Sequence, residues 1–299
     1  MQTQPIATAQ RPTSVLRDLI ALTKPRINFM VLVTAGGGIA LAPQRPDWLT
    51  CLAALVGTAL VVGSANSLNC YIERNVDKHM TRTMNRPLPA GRLQPRAALI
   101  LGIVLAAISI PLLWAMVNTL TAFLAAFALI SYVAIYTPMK QMTPFALIVG
   151  AVPGAMPPLM GWTAATGELS SPGLVLFGIL FLWQLPHFLA ISLFRESEYT
   201  KAGIKVYPAT QGPEGTRWHA IAWAIALVPV SLLLGPLGIA GALYTCIALI
   251  AGIVFVASCV RHVDAANVTP WGKKVFFTSL VYLPVIFAAL ALDVALALG

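Results

Sequence analysis

Nine long apolar runs, separated by short polar connections, account for most of this 299-residue chain. They fall near 25–43, 48–72, 95–117, 119–137, 144–165, 172–194, 217–236, 237–260 and 275–298. Each is long enough for a helix to cross a bilayer, which takes roughly 20 residues at about 1.5 Å of rise each. No stretch alternates apolar and polar positions in the manner of a barrel strand. The pattern predicts an all-α integral membrane protein with nine transmembrane helices. Only "GPLG" (235–238), a cluster of helix breakers, parts the seventh run from the eighth. Residues 1–22, rich in Gln, Thr and Pro up to 16, are expected to form a disordered tail, leaving 23–299 as one nine-helix domain. "KPRINFMVLVTAGGGIALA" has the basic start, apolar core and Ala40-Leu41-Ala42 triplet of a signal peptide. But 23 residues precede Lys24 and the next apolar run follows at once, so it is read as the first span.

Composition agrees. The chain is 58% hydrophobic and 10% charged, with mean hydropathy +0.82, whereas a soluble domain carries about 25% charged residues. The four cysteines, Cys51, Cys70, Cys246 and Cys259, are scattered in or beside apolar runs without metal-ligand spacing. They are expected to be small buried hydrophobes. The formal charge of +9 does not point to nucleic acid, because of where it sits. Of the 19 Lys and Arg, 18 lie in the tail and first flank or after an even-numbered run, Arg45 being the exception. The positive-inside rule then places the N-terminus and those connections in the cytoplasm, and nine spans put the C-terminus outside.

The connections are unequal. Two of them, 73–94 and 195–216, are long and charged, and they stand four spans apart. That spacing suggests a pseudo-repeat of 24–140 and 143–262 followed by a ninth helix. The first reads "NCYIERNVDKHMTRTMNRP" from position 69. Its Asn69, Glu73 and Asp77 are spaced i, i+4, i+8, and each step of four overshoots a helical turn by about 40°, so all three share one face. Three oxygen-bearing side chains at the end of a span suit Mg2+, which takes few protein ligands and binds substrate phosphates. Arg82, Arg86 and Arg92 follow, the chemistry that recognises a phosphate arriving with its metal. The second loop, "FRESEYTKAGIKVYP", repeats the order of acids then bases. Glu196 and Glu198 are candidates for a second Mg2+, with Lys201 or Lys205 on the phosphate. The alternative is that these are solvated loop charges obeying the positive-inside rule. That rule explains the arginines but requires no Glu or Asp, and acids facing a bundle interior are functional by default.

The motif "NCYIERNVD…RTMNRP" resembles the first aspartate-rich motif of the UbiA-type intramembrane prenyltransferases, and "WQLPHF" (183–188) with "RTMNRP" points to the branch that farnesylates heme. "LTKPRI" (22–27), "YTPMKQMTP" (136–144) and, more loosely, "YTKAGIKVYP" (199–208) agree with it. The resemblance implies a nine-helix bundle around a central cavity capped by the cytoplasmic loops, in a bacterial inner membrane. It implies farnesyl diphosphate and heme B as substrates, Mg2+ as cofactor, surrounding lipid, and heme-pathway or oxidase-assembly proteins as partners. Carried over, Asn69, Glu73 and Asp77 hold Mg2+ with Glu198; Arg82, Arg86, Lys140 and Lys201 steady the diphosphate. Tyr199 and Lys205 contribute from the second loop, and His187 with Trp183 belongs to the heme pocket. Departures are confined to details: Gln141 stands where a second base is common, Ala146 replaces an amide, Glu198 replaces an aspartate, and Lys205 and Tyr207 replace apolar residues. A UbiA-type enzyme with an aromatic or quinone-precursor acceptor, and a transporter, are the competing readings; charges gathered at one face instead of the midplane count against the transporter.

Overall fold

A computed structural model describes residues 14–264 and 266–297, and no β-strand occurs among them. The chain enters as α1 (Val15–Leu22), turns at Thr23-Lys24, and continues as α2 (Pro25–Leu41) and α3 (Trp48–Glu73). After the first long loop come α4 (Pro95–Met116) and α5 (Thr119–Ile130), the latter running through a π-helix (Ser131–Tyr136) into α6 (Thr137–Met139). Then follow α7 (Ala146–Thr166), α8 (Ser171–Phe194), short α9 (Glu196–Lys201), α10 (Tyr207–Leu232), α11 (Ala242–Val260) and α12 (Val268–Ala297).

Each predicted run coincides with a helix, though the seventh begins ten residues early, at Tyr207. Among the described residues seven helices are long and apolar enough to cross a membrane unaided, and α1 with α2, bent by 44°, makes up to eight. The helix α10 falls outside that set, since Arg217 and His219 dilute its apolar part and Gly212 breaks it with a left-handed φ of 69°. Large apolar side chains stand exposed along α4 (Ile100, Ile103, Val104), α11 (Ile250, Ile253, Val254) and α12 (Phe277, Val281). Faces of that kind belong against lipid. Cys70 and Cys259 are buried as expected, whereas Cys246 is exposed on α11.

Part of the expected disordered tail is structured. Residues 15–22 form α1, capped by the Ser14 hydroxyl, which accepts from Arg17 N. Its Leu22 is buried against Cys70, Leu88, Leu93 and Ala98, while Val15, Leu16 and Ile20 face outward. Residues 1–13 lie outside the described residues.

Helix neighbours follow the chain: α2 against α3, α3 against α4, α4 against α5, then α7 against α8, α8 against α10 and α10 against α11. The two series meet where α2 crosses α7, and α12 closes on α8 and α11. The α2–α7 crossing is a contact of backbones. A Cβ on Gly38 would stand 2.1 Å from Pro158 O, and one on Gly161 would stand 1.9 Å from Ala35 O. Only hydrogen fits at either place.

Candidate active site

The two long loops line one end of the bundle, and a backbone link anchors the second of them. Lys205 N donates to Lys140 O at 2.8 Å, joining the second loop to the end of α6. Beneath them lies a cavity of about 550 Å³, within the range of small-molecule sites. Its polar end is formed by Lys24, Asn69, Glu73, Asp77, Arg86 and Lys140, and its apolar side by Tyr132, Tyr136, Phe188, Ile191 and Phe276.

The oxygen-bearing stripe survives with one correction. The helix α3 ends at Glu73, and Asp77 sits in a separate 3-10 turn, Val76–His79, not on a continued helix. All three side chains still converge on the cavity and are buried. The Asp77 turn is pinned by Thr83, whose buried hydroxyl donates to Asp77 O at 2.8 Å. Asn69 is oriented by a chain of donors. Pro138 has no N–H and crowds the carbonyl of Ala134 four residues earlier, and ahead of it the helix widens into the π turn. Thr137 Oγ1 donates to Tyr132 O at 2.8 Å, so it accepts from Asn69 Nδ2 at 3.2 Å. That leaves Asn69 Oδ1 turned to Lys24 Nζ, 3.3 Å away.

The cations divide. Lys140 Nζ lies 2.7 Å from Glu73 Oε1 and Arg86 Nη1 lies 2.7 Å from Asp77 Oδ2. Arg82 stands exposed at the rim. Arg92 is turned away from the cavity and grips Asp18 of α1 with Nε and Nη2 at 3.1–3.2 Å. From the second loop Tyr199 and Lys205 reach the lining, and burial raises the Tyr199 phenol above its ordinary range. Glu198 does not reach it; it pairs with Arg195 at 2.6 Å. Lys201 is exposed outside it. Among the described residues no group of three His, Cys, Asp or Glu side chains is placed to hold a metal, so the expected fourth ligand, Glu198, is not part of the cluster. His187 and Trp183 are also displaced from their expected place. Neither lines the cavity. Trp183 Nε1 donates to Ser279 O at 2.7 Å, His187 Nδ1 is 2.7 Å from Ser279 Oγ, and the imidazole lies between the rings of Trp183 and Phe276. They tie α8 to α12 one layer behind the wall.

Among the lining residues that the sequence did not single out as candidates are Lys24, Tyr132, Arg195 and Phe276. Lys24 carried a signal. It precedes Pro25, and it is the one non-glycine with positive φ (50°) among the described residues, a conformation that costs a β-carbon residue about 1 kcal/mol or more. Burial first, then neighbouring Arg86 and Lys140, lowers its pKa to about 8.

The profile of the UbiA prenyltransferase family matches residues 30–281. The chain belongs to that family. Proteins of the family named protoheme IX farnesyltransferase include that of Myxococcus xanthus, 49% identical over 96% of this chain and 98% of its own length. Another, from an Anaeromyxobacter species, is 48% identical over 96% and 98%. Among solved structures, a digeranylgeranylglyceryl phosphate synthase superposes with TM-score 0.78 at 17% identity, covering 93% of this chain and 98% of its own. A UbiA homologue from Archaeoglobus fulgidus bound to GPP and Mg2+ gives TM-score 0.66 at 17% identity, with 90% and 99% covered. At those identities the structures establish the family fold. The loops that carry Asn69, Glu73 and Asp77, and Tyr199 and Lys205, lie inside the matched segment.

Proposed function

We propose that this membrane enzyme transfers the farnesyl group of farnesyl diphosphate to a vinyl group of heme B, releasing diphosphate and giving heme O. The observation that carries the reading is the convergence of Asn69, Glu73 and Asp77 with Arg86 and Lys140 at the polar end of an otherwise aromatic and aliphatic cavity. The acceptor and the chain length of the donor rest on the shared name of relatives that match this chain end to end. The bond from farnesyl C1 to the diphosphate oxygen breaks, the vinyl carbon bonds to C1, and water captures the resulting cation with loss of a proton. A hydroxyethylfarnesyl group results.

The donor set fits a hard divalent ion. Asp77 Oδ1 is buried and has no hydrogen-bond partner, which is costly unless something else satisfies it. With Glu73 and Asn69 it supplies the few oxygens that Mg2+ takes from protein. Such an ion would neutralise charge building on the leaving diphosphate. Lys140, Arg86 and Arg82 hold the diphosphate oxygens, and the rings of Tyr132, Tyr136, Phe188 and Phe276 exclude water from the allylic carbon. Charge placement supports nine spans, with both long loops and this site on the cytoplasmic side of a bacterial inner membrane.

Purified protein incubated with heme B, farnesyl diphosphate and Mg2+ should yield a farnesylated heme resolved by chromatography and mass spectrometry. Asp77→Asn should insert normally and lose about 100-fold or more in rate, the scale seen when one electrostatic contact to a developing charge is removed. Near-wild-type turnover by that variant would sink the metal assignment. Conversion of an aromatic acid but never of heme would sink the acceptor.

A further inference from the structure

The helix α1 turns large apolar side chains away from the protein, and none of its residues lines the cavity. Asp18 and Leu22, four apart, form its inner edge. Both are buried, the first gripped by Arg92 and the second packed with Leu88, Leu93 and Ala98. Leu16 and Ile20, also four apart and so on one face, stand on the opposite side with half or more of their surface exposed. Val15 is as open, and Arg17 is exposed beside them. Past the turn at Thr23-Lys24 the same surface resumes on α2, where Ile27, Phe29 and Met30 are more than half exposed. Lengths place this surface in the bilayer. The helix α2 has 17 residues and runs about 25 Å, about 5 Å short of the hydrocarbon core. Leaving the line of α2 by 44°, the eight residues of α1 advance about 9 Å farther along it. The half nearer the turn, with Ile20, completes the apolar crossing. The far half, with Leu16 and Arg17, falls in a headgroup layer about 6 Å deep. Apolar side chains toward the acyl region with cations at their edge are the arrangement of an interfacial helix. The chain's own start offers little to cover this face, since residues 1–13 hold only Met1 and Ile6 as large apolar side chains.

We infer that α1 is an interfacial anchor. Its Leu16–Ile20 face sits in the leaflet beside the two long loops, Arg17 and Arg26 meet anionic headgroup phosphates, and the bilayer thereby holds one edge of the cavity in place. Both arginines are exposed, and a cation near an anionic membrane surface adds attraction to the apolar burial. The hold reaches the site along two routes. Arg92, which grips Asp18, also donates from Nη1 to Asn85 O at 3.2 Å, the carbonyl next to Arg86 of the cavity lining. At the other end α1 runs into Thr23, whose carbonyl accepts from Asn66 Nδ2 at 3.4 Å, and then into Lys24, whose ammonium reaches Asn69 Oδ1. A bilayer that seats α1 therefore steadies the backbone on which Arg86 and Lys24 stand.

The test uses the full-length, cysteine-free protein in nanodiscs of phosphatidylglycerol and phosphatidylcholine. An environment-sensitive fluorophore is attached at Leu16→Cys, at Ile20→Cys or, as a control on the first loop, at Ala90→Cys. All three positions are exposed, so the label displaces no packed side chain. With phosphatidylcholine brominated on its acyl chains, emission from position 20 should be blue-shifted and quenched, that from 16 less so, and that from 90 unaffected. Emission at 16 and 20 as red and unquenched as at 90 overturns the anchor. Blue-shifted emission that bromine leaves unquenched means that protein covers the face, and overturns it as well. Leu16→Ser combined with Ile20→Ser should lower turnover in nanodiscs at an unchanged thermal midpoint. Unchanged turnover, or turnover lost only in step with the midpoint, overturns the hold on the site. Quenching needs no turnover, so it is decided apart from the farnesyl-transfer reading.

Discussion

Three consecutive glycines on α2 meet three different surroundings, so one substitution made three times should give three graded results. A Cβ on Gly36 finds its nearest neighbour at 4.0 Å, the end of Leu55. On Gly37 it stands 2.7 Å from the ring of Phe287, a side chain that can turn away. On Gly38 it stands 2.1 Å from Pro158 O and 3.0 Å from Trp162 N, both backbone. An ordinary carbon–oxygen contact is about 3.3 Å, so Gly38→Ala forces α2 and α7 apart by about 1.2 Å. Replacing glycine by alanine inside a helix favours the helix by about 1 kcal/mol. Overpacking costs about 1–3 kcal/mol, and an immovable backbone neighbour puts Gly38 at the top of that range. Gly36→Ala should thus be neutral or stabilising by up to about 1 kcal/mol, and Gly38→Ala destabilising by about 2 kcal/mol, with Gly37→Ala between. For a chain of this size that separates the thermal midpoints of the outer two by about 4 °C or more. Thermal scans in detergent, with farnesyl transfer measured on the same samples, read it directly. Activity should fall with Gly38→Ala, because α2 carries Lys24 at its start. A Gly38→Ala protein as stable as Gly36→Ala would refute the backbone-to-backbone crossing.

Other expectations follow from single contacts. Asp18→Asn should cost about 1–3 kcal/mol by weakening the grip of Arg92 across α1 and the first loop, and a double-mutant cycle with Arg92→Ala should show non-additivity; additive effects would mean the pair contributes nothing. His187→Ala should lower the thermal midpoint and the binding of heme and farnesyl diphosphate together, since the ring braces α8 against α12; loss of heme binding alone at an unchanged midpoint would restore it to the heme pocket. In a cysteine-free background, Ala90→Cys should resist an impermeant thiol reagent in intact cells while Gln44→Cys reacts, and the opposite labelling would invert the orientation.

Much of the architecture was legible because a helix in lipid must be apolar along its whole length, and each of the nine runs overlaps a helix, the eighth starting five residues before its helix and the ninth seven residues after. The seventh departs most. The run at 217–236 keeps Arg217 and His219, but residues 207–216 ahead of it, with Gln211, Gly212 and Glu214 among them, read as loop although α10 already begins at Tyr207. The helix α1 was missed for a related reason: eight residues with Asp18 and Arg17 look like tail until Leu22 and Asp18 are seen buried. Periodicity found the right face of Asn69, Glu73 and Asp77 but assumed one helix, and side chains converge just as well when a 3-10 turn takes over at Val76. Roles that depend on where a long side chain ends were not legible. Arg86 and Arg92 stand in one loop six residues apart, yet one faces the cavity and the other reaches Asp18, 74 positions away. Trp183 and His187 lie four apart on α8 beside Phe188, and only packing against Ser279 and Phe276 sets them behind the wall that Phe188 forms.

The placement of the site at one end of the bundle follows from the two natures of the proposed donor. A diphosphate needs fixed cations and a metal, and those charges are affordable only where loops and water can stabilise them when no substrate is bound. A farnesyl chain needs apolar surface, which the interior supplies without cost. The boundary between the two runs along the turn from the π-helix to Lys140. Tyr132 and Tyr136 present rings below it, and Lys140 and the carboxylate of Glu73 stand above it, with the Lys140 ammonium 4.4 Å from the centre of the Tyr136 ring. The bond that must break joins the two halves of the substrate and so falls at this boundary. Cations there favour the departing anion, as a divalent ion held by Asp77, Glu73 and Asn69 would, and the rings below accept positive charge on carbon better than aliphatic side chains do. Tyr136→Leu should therefore reduce turnover more than it reduces the binding of farnesyl diphosphate. An equal loss in both would mean that the ring only shapes the cavity.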